Sequence, residues 1–197
     1  MQCRFVLLAA SQYDQIVAED EAETQEYQRL SRELQEAGDD YAARERLIHE
    51  MSVLRDSRPN NVTMARRWLA LQSMAVSAAN LSKLLWGSQD RRKPNREAER
   101  APLRKLVRVD DSSCLRSTKL RNAFEHFDEA LEERGRRQPY IGRNIGSFPP
   151  GMIAGDDPDE RFGHFDPSTS VLSFWERSMN IREVIEEAGR ILVLAED

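Results

Sequence analysis

The sequence predicts a mainly α protein: a helical bundle of four to five main helices, then a small C-terminal β-hairpin and a closing helix. Three observations point there. Apolar residues recur at three- and four-residue spacing over long stretches, the pattern of a helix with one buried face. Ala, Leu, Glu and Arg dominate the 197 residues, of which 32% are charged, as in a helical water-facing protein. Strand-like alternation is confined to Arg161–Phe165 and, less strictly, Val171–Trp175.

Taken in order, the first helix is expected from about Phe5 to Glu36, with Ile16, Val17, Leu30 and Leu34 inward. Its stretch Glu19 to Glu26 is acidic and is expected to project into solvent or to meet a basic segment. Gly38 stops it, and Asp39 is the expected N-cap of a second helix. That helix runs to about Arg55 with Leu47, Met51 and Leu54 inward, and Pro59 ends it. Asn60 or Asn61 caps a third helix to about Trp86. Met64, Trp68, Leu71, Ala75, Ala78, Leu81 and Leu85 form its stripe, and Gly87 closes it. Ser88 to Ser112 reads as a polar, basic connector with a short helix over Arg96–Arg108.

A fourth long helix is expected from Ser113 to Glu133, with Leu120, Phe124, Phe127 and Leu131 as its stripe. Arg136 to Glu160 is rich in Gly and Pro and reads as an extended loop. Asp166-Pro167-Ser168-Thr169-Ser170 is turn chemistry between two short strands. Asn180 caps the closing helix, whose Ile181, Val184, Ile185, Ala188, Ile191 and Leu192 face inward. The expected division is residues 1–135, a helical bundle, and residues 136–197, a C-terminal extension packed on it.

On the fourth helix Arg121-Asn122 is followed by three residues and then His126. Asn122 and His126 lie one turn apart, well away from the apolar stripe. Histidine titrates near neutrality, so it can move a proton to or from a reacting oxygen. Arginine stays charged and can grip a phosphate with two parallel N–H bonds. The segment resembles the signature of the HEPN superfamily (higher eukaryotes and prokaryotes nucleotide-binding domain), which is Arg, four to six residues, then His, often with Asn after the Arg. The resemblance is close over residues 113–133 and extends before them only as a helical bundle.

That family is all-helical, and many members are metal-independent ribonucleases that work as dimers, two Arg/His pairs meeting in one cleft. The resemblance therefore implies Arg121, His126 and Asn122 as catalytic residues, no cofactor and no metal, a homodimer, and RNA as substrate. Cleavage would run by attack of the 2′-hydroxyl. Other members are inactive or serve in toxin–antitoxin pairs, phage defence or RNA processing, so an antitoxin or other protein partner is a further implication. A subgroup carries a tyrosine two residues after the histidine; Asp128 stands there in this chain, which gives no support to modification of a tyrosine beside the site.

Charge favours this part of the chain. Residues 91–143 hold 15 basic and 9 acidic side chains, whereas the whole chain has a formal charge of −5. The total argues against general coating of nucleic acid, and the local excess suits phosphate contact. Arg104, Lys105, Arg108, Arg116 and Lys119 are the candidate RNA-backbone contacts. The residues themselves leave two other readings open: a non-catalytic helical module for a protein partner, and a nucleotide-binding sensor.

The remaining signals are weak. His49-Glu50 begins like a zinc-protease helix, but Val53 stands where the second histidine belongs. His164, between aromatic residues, reads as structural. Asp156 to Glu160 lacks calcium-loop spacing. Cys3 and Cys114 have no metal-like spacing, which predicts a reduced cytoplasmic protein. The apolar run Phe5–Ala10 is too short for a signal core or a membrane span.

Overall fold

The computed structural model describes residues 1–57, 60–87, 96–117, 140–146, 161–175 and 177–196. It is mainly helical, with a small C-terminal sheet and a closing helix, as the sequence predicts. Helices α1 (Gln2–Glu36), α2 (Tyr41–Ser57) and α3 (Asn60–Trp86) are followed by two short helices, α4 (Arg96–Glu99) and α5 (Ala101–Leu106). A 3-10 turn spans Cys114–Arg116. Strands β1 (Tyr140–Ile145), β2 (Arg161–Asp166), β3 (Val171–Phe174) and β4 (Arg177–Asn180) precede α6 (Ile181–Glu196). Among the described residues, no helix is long and apolar enough to cross a membrane.

The chain divides into two compact units. One is Met1–Ala10 together with Leu71–Asp197, and the other is Ser11–Ala70. This differs from a division at residue 135: the sheet and α6 belong to the same unit as the second half of α3.

Within Ser11–Ala70, Ile16, Leu30, Leu47, Trp68 and Ala70 are buried. The acidic run of α1 is partly neutralised there. Glu19 pairs with Arg66 at 3.0 Å and Asp20 with Arg67 at 2.6 Å. Arg29 bridges Glu26 and Glu33 along the helix. These are mostly exposed pairs, and each contributes little to stability on its own. Gly38 takes a φ of +50° after α1, a conformation that suits glycine at a helix C-terminus. The cap of α2 is Asp40, not Asp39: its Oδ1 accepts from the Ala43 amide at 3.0 Å. Both residues are acceptable caps in type, and the helix begins one residue later than periodicity suggested.

In the other unit, α3 buries Leu71, Ala75, Ala78, Leu81 and Leu85 of its expected stripe, and Met74 and Ala79 beside them. The short helix expected over 96–108 is broken at Arg100. Pro102 lies in the first turn of α5; it has no N–H to offer an earlier carbonyl, so one helix cannot run through. Helix α5 ends in a Schellman motif. The Val109 amide donates to Arg104 O at 2.9 Å and the Arg108 amide to Lys105 O at 3.2 Å.

The expected hairpin is present and is part of a larger sheet of order β1-β2-β3-β4. Strands β2 and β3 pair antiparallel, with Phe165 opposite Leu172, and β4 adds antiparallel with Met179 on the other side of Leu172. Strand β1 joins parallel to β2. It comes from a segment expected to be loop, because parallel pairing depends on a strand far along the chain rather than on a local turn. Phe165, Leu172, Phe174 and Met179 are buried. The Asn180 side chain caps α6 as expected, accepting from the amides of Arg182 at 3.0 Å and Glu183 at 3.3 Å. Ile181, Val184, Ala188 and Ile191 form the buried face of that helix.

Candidate functional site

The approach to the motif is the segment from α5 to Ser117. It was expected to enter a helix at Ser113. Instead Cys114–Arg116 form a 3-10 turn, and Ser117 is extended at φ −83°, ψ 123°. The cause is local polar bonding and burial. The Ser113 hydroxyl accepts from the Leu115 amide at 3.3 Å and donates to Glu187 Oε1 at 3.0 Å, while Leu115 is buried. Serine bonded to its neighbouring backbone competes with helix at this position. Lys119, Arg121, Asn122 and His126 lie outside the described residues, as does the rest of the helix expected up to Glu133.

The other four candidate contacts are described, and they fall into two groups. Arg104 is engaged inside the fold. Its Nη1 donates to Leu85 O at 2.8 Å and to Glu97 O at 3.0 Å, and its guanidinium lies 5.8 Å from the centre of the Trp86 ring. Trp86 is held in turn by its indole N–H, which donates to Asp111 Oδ1 at 3.0 Å. Arg116 pairs with Glu97 at 3.1 Å and with Asp111 at 3.5 Å. A phosphate would have to compete with these carboxylates for Arg116. Lys105 and Arg108, by contrast, are exposed.

Arg108 is held at φ +52°, in the left-handed region, at the position of the Schellman motif where glycine is usual. That costs a non-glycine residue roughly 1–2 kcal/mol. Arg108→Gly is therefore expected to raise the melting temperature slightly. The relieved strain exceeds the roughly 0.5–1 kcal/mol that a flexible unfolded glycine takes back. Thermal denaturation of the two proteins side by side checks this.

Beside this segment lies a cleft of about 440 Å³, lined by Arg108, Asp110, Cys114, Glu183, Glu186 and Arg190 among others. Glu187, also in its wall, pairs with Arg190 at 2.8 Å. Four carboxylates thus face two arginines, the wrong balance for a polyanion. The Ser112 hydroxyl and amide, both donating to Asp110, hold its carboxyl below the usual carboxylate range. Burial, and then the neighbouring Glu187, Glu183 and Glu186, push the Cys114 thiol up to about 11. The thiolate is the reactive form, so Cys114 is expected to react with iodoacetamide at pH 8 about a hundredfold more slowly than a free cysteine. Mass spectrometry of timed samples reads this directly.

A second cleft of about 440 Å³ lies in the Ser11–Ala70 unit, among Asp20, Glu23, Tyr27, Leu54, Arg55 and Thr63. Its lining residues carry no catalytic motif in the sequence. His49 is an exposed residue of α2. His164 is half-buried in β2, opposite Ser173, whose hydroxyl donates to the His164 carbonyl at 3.3 Å. Among the described residues, no group of three or more His, Cys, Asp or Glu is arranged to hold a metal ion. Comparison of the chain with protein-family models, with curated proteins and with solved structures found no match to any of them.

Proposed function

We propose that this protein is a HEPN-like, metal-independent endoribonuclease. It cleaves RNA by attack of the 2′-hydroxyl at a site built from Arg121, Asn122 and His126 of two copies. The observation that carries the reading is the Arg121-Asn122-x3-His126 pattern, set in the net-basic stretch 91–143. The histidine takes the proton from the 2′-hydroxyl or returns one to the leaving 5′-oxygen. The arginine offsets charge that builds on the phosphate, and Asn122 orients the histidine or binds phosphate. The products are a 2′,3′-cyclic phosphate and a 5′-hydroxyl. Lys105, exposed and not among the residues lining the acidic cleft, is the described candidate left open to the RNA backbone; Arg104 and Arg116 are occupied, and Arg108 borders that cleft.

The test is incubation of purified protein with structured and single-stranded RNA in EDTA. Cleavage to cyclic-phosphate ends by the parent supports the reading, and no cleavage above buffer rejects it.

A second reading has its own observation. Arg104 and Arg116 are tied to Trp86, Glu97 and Asp111, and the cleft beside them is acidic. This suits a non-catalytic helical module that binds a protein partner. Failure of RNA cleavage leaves that reading ahead.

A further inference from the structure

We propose that the cleft within the Ser11–Ala70 unit binds a protonated aliphatic polyamine, with Glu23 as the anchoring carboxylate and Tyr27 and Leu54 as the apolar walls. Two observations meet there. The first is a gap in a helix stripe. Ile16 and Leu30 of α1 are buried, and the four- and three-residue steps between them pass through Asp20, Glu23 and Tyr27. Positions on the inward stripe of a helix are normally apolar. Here three successive ones carry two carboxylates and a phenol. The second observation is space. The cleft measures about 440 Å³ beside those same three residues, and Leu54 and Arg55 of α2 and Thr63 of α3 complete its wall. That volume falls within the range of small-molecule sites, about 300–1,000 Å³. Departures from a core pattern are expected at functional sites, and this one coincides with a cleft of ligand size.

The charges select the ligand. Asp20 is engaged by Arg67 at 2.6 Å, and Arg55 has Asp56 beside it at 3.5 Å. Among the described residues no cation is bonded to Glu23, which is only partly exposed. The lining holds two carboxylates against one guanidinium, which favours a cation over a phosphate or a carboxylate. An ammonium carries several N–H donors and needs several acceptors. The Tyr27 and Thr63 hydroxyls and the Gln28 amide oxygen supply them around Glu23. Methylene groups fit against Leu54 and the Tyr27 ring, whose face also attracts a cation. Asp20, one turn from Glu23 on α1, adds a second negative centre, which favours a ligand with more than one ammonium group over a simple amine.

The test is an NMR titration of the full chain with spermidine, at constant ionic strength and without RNA. Glu23→Gln and Tyr27→Ala are titrated beside the parent, with Glu45→Gln as the control. Glu45 is exposed on α2 and is not among the cleft residues. The parent is expected to show saturable binding at one site, with amide shifts centred on Glu23, Tyr27, Leu54 and Thr63. Glu23→Gln is expected to weaken binding roughly tenfold or more, the loss of one charge-assisted contact. Tyr27→Ala weakens it too, and Glu45→Gln leaves it unchanged. Both cleft variants should keep the parent fold, since Tyr27 is 44% exposed and Glu23 lies at the cleft wall. The proposal is overturned if the shifts do not saturate or spread over the acidic surface. It is also overturned if Glu45→Gln weakens binding as much as Glu23→Gln, or if Mg²⁺ of equal charge displaces the spermidine. With no RNA present, the result stands apart from the ribonuclease reading.

Discussion

His126→Ala is expected to reduce RNA cleavage by about 10²–10⁴-fold, the contribution of one well-placed general acid–base group. On the proposed reading a homodimer loses both histidines at once, so neither proton transfer retains its group. The loss should fall on kcat, because RNA binding depends on the cations and not on the imidazole. Arg121→Lys is a useful companion. Lysine keeps the charge but not the planar two-pronged donor set, and it should recover only part of the activity lost in Arg121→Ala. Single-turnover cleavage of one labelled RNA by each variant, with melting temperature as the control for folding, separates these effects. A His126→Ala protein that cuts as fast as the parent removes the ribonuclease assignment altogether.

The largest expected effect on stability is Phe174→Ala, at about 3–5 kcal/mol. Phe174 is 1% exposed and belongs to β3, which is bonded on both sides by β2 and β4. Its ring lies 4.8 Å from that of Trp175 at a tilt of 60°, so truncation removes an aromatic contact as well as apolar burial. A loss of this size is a large share of the roughly 5–15 kcal/mol that holds an ordinary domain folded. It should lower the melting temperature by roughly 10 °C or more. Val193→Ala is the control: Val193 lies on α6 at 61% exposure, and its change should stay within about 0.5 kcal/mol. Equal effects of the two substitutions would contradict the described core.

What the sequence by itself determined is local in origin. The stripes of α3 and α6 could be read because a buried helix face repeats every three to four residues, whatever it packs against. The Asn180 cap and the turn at 166–170 were legible because each rests on bonds between near neighbours in the chain. The Arg121-Asn122-x3-His126 pattern is legible in the same way, as spacing on one predicted helix.

Only the tertiary structure decided the matters that depend on distant partners. Strand β1 exists because β2, some twenty residues later, offers it an edge. The helix start expected at Ser113 is a 3-10 turn over Cys114–Arg116, where Glu187 accepts from the Ser113 hydroxyl and Leu115 is buried. In the sequence Arg104 and Arg116 are indistinguishable in kind from Lys105 and Arg108. The fold separated them by placing Trp86, Glu97 and Asp111 against the first two and leaving the second two in water. A cation's duty is set by the nearest acceptor in space, and sequence spacing carries no record of which acceptor that will be.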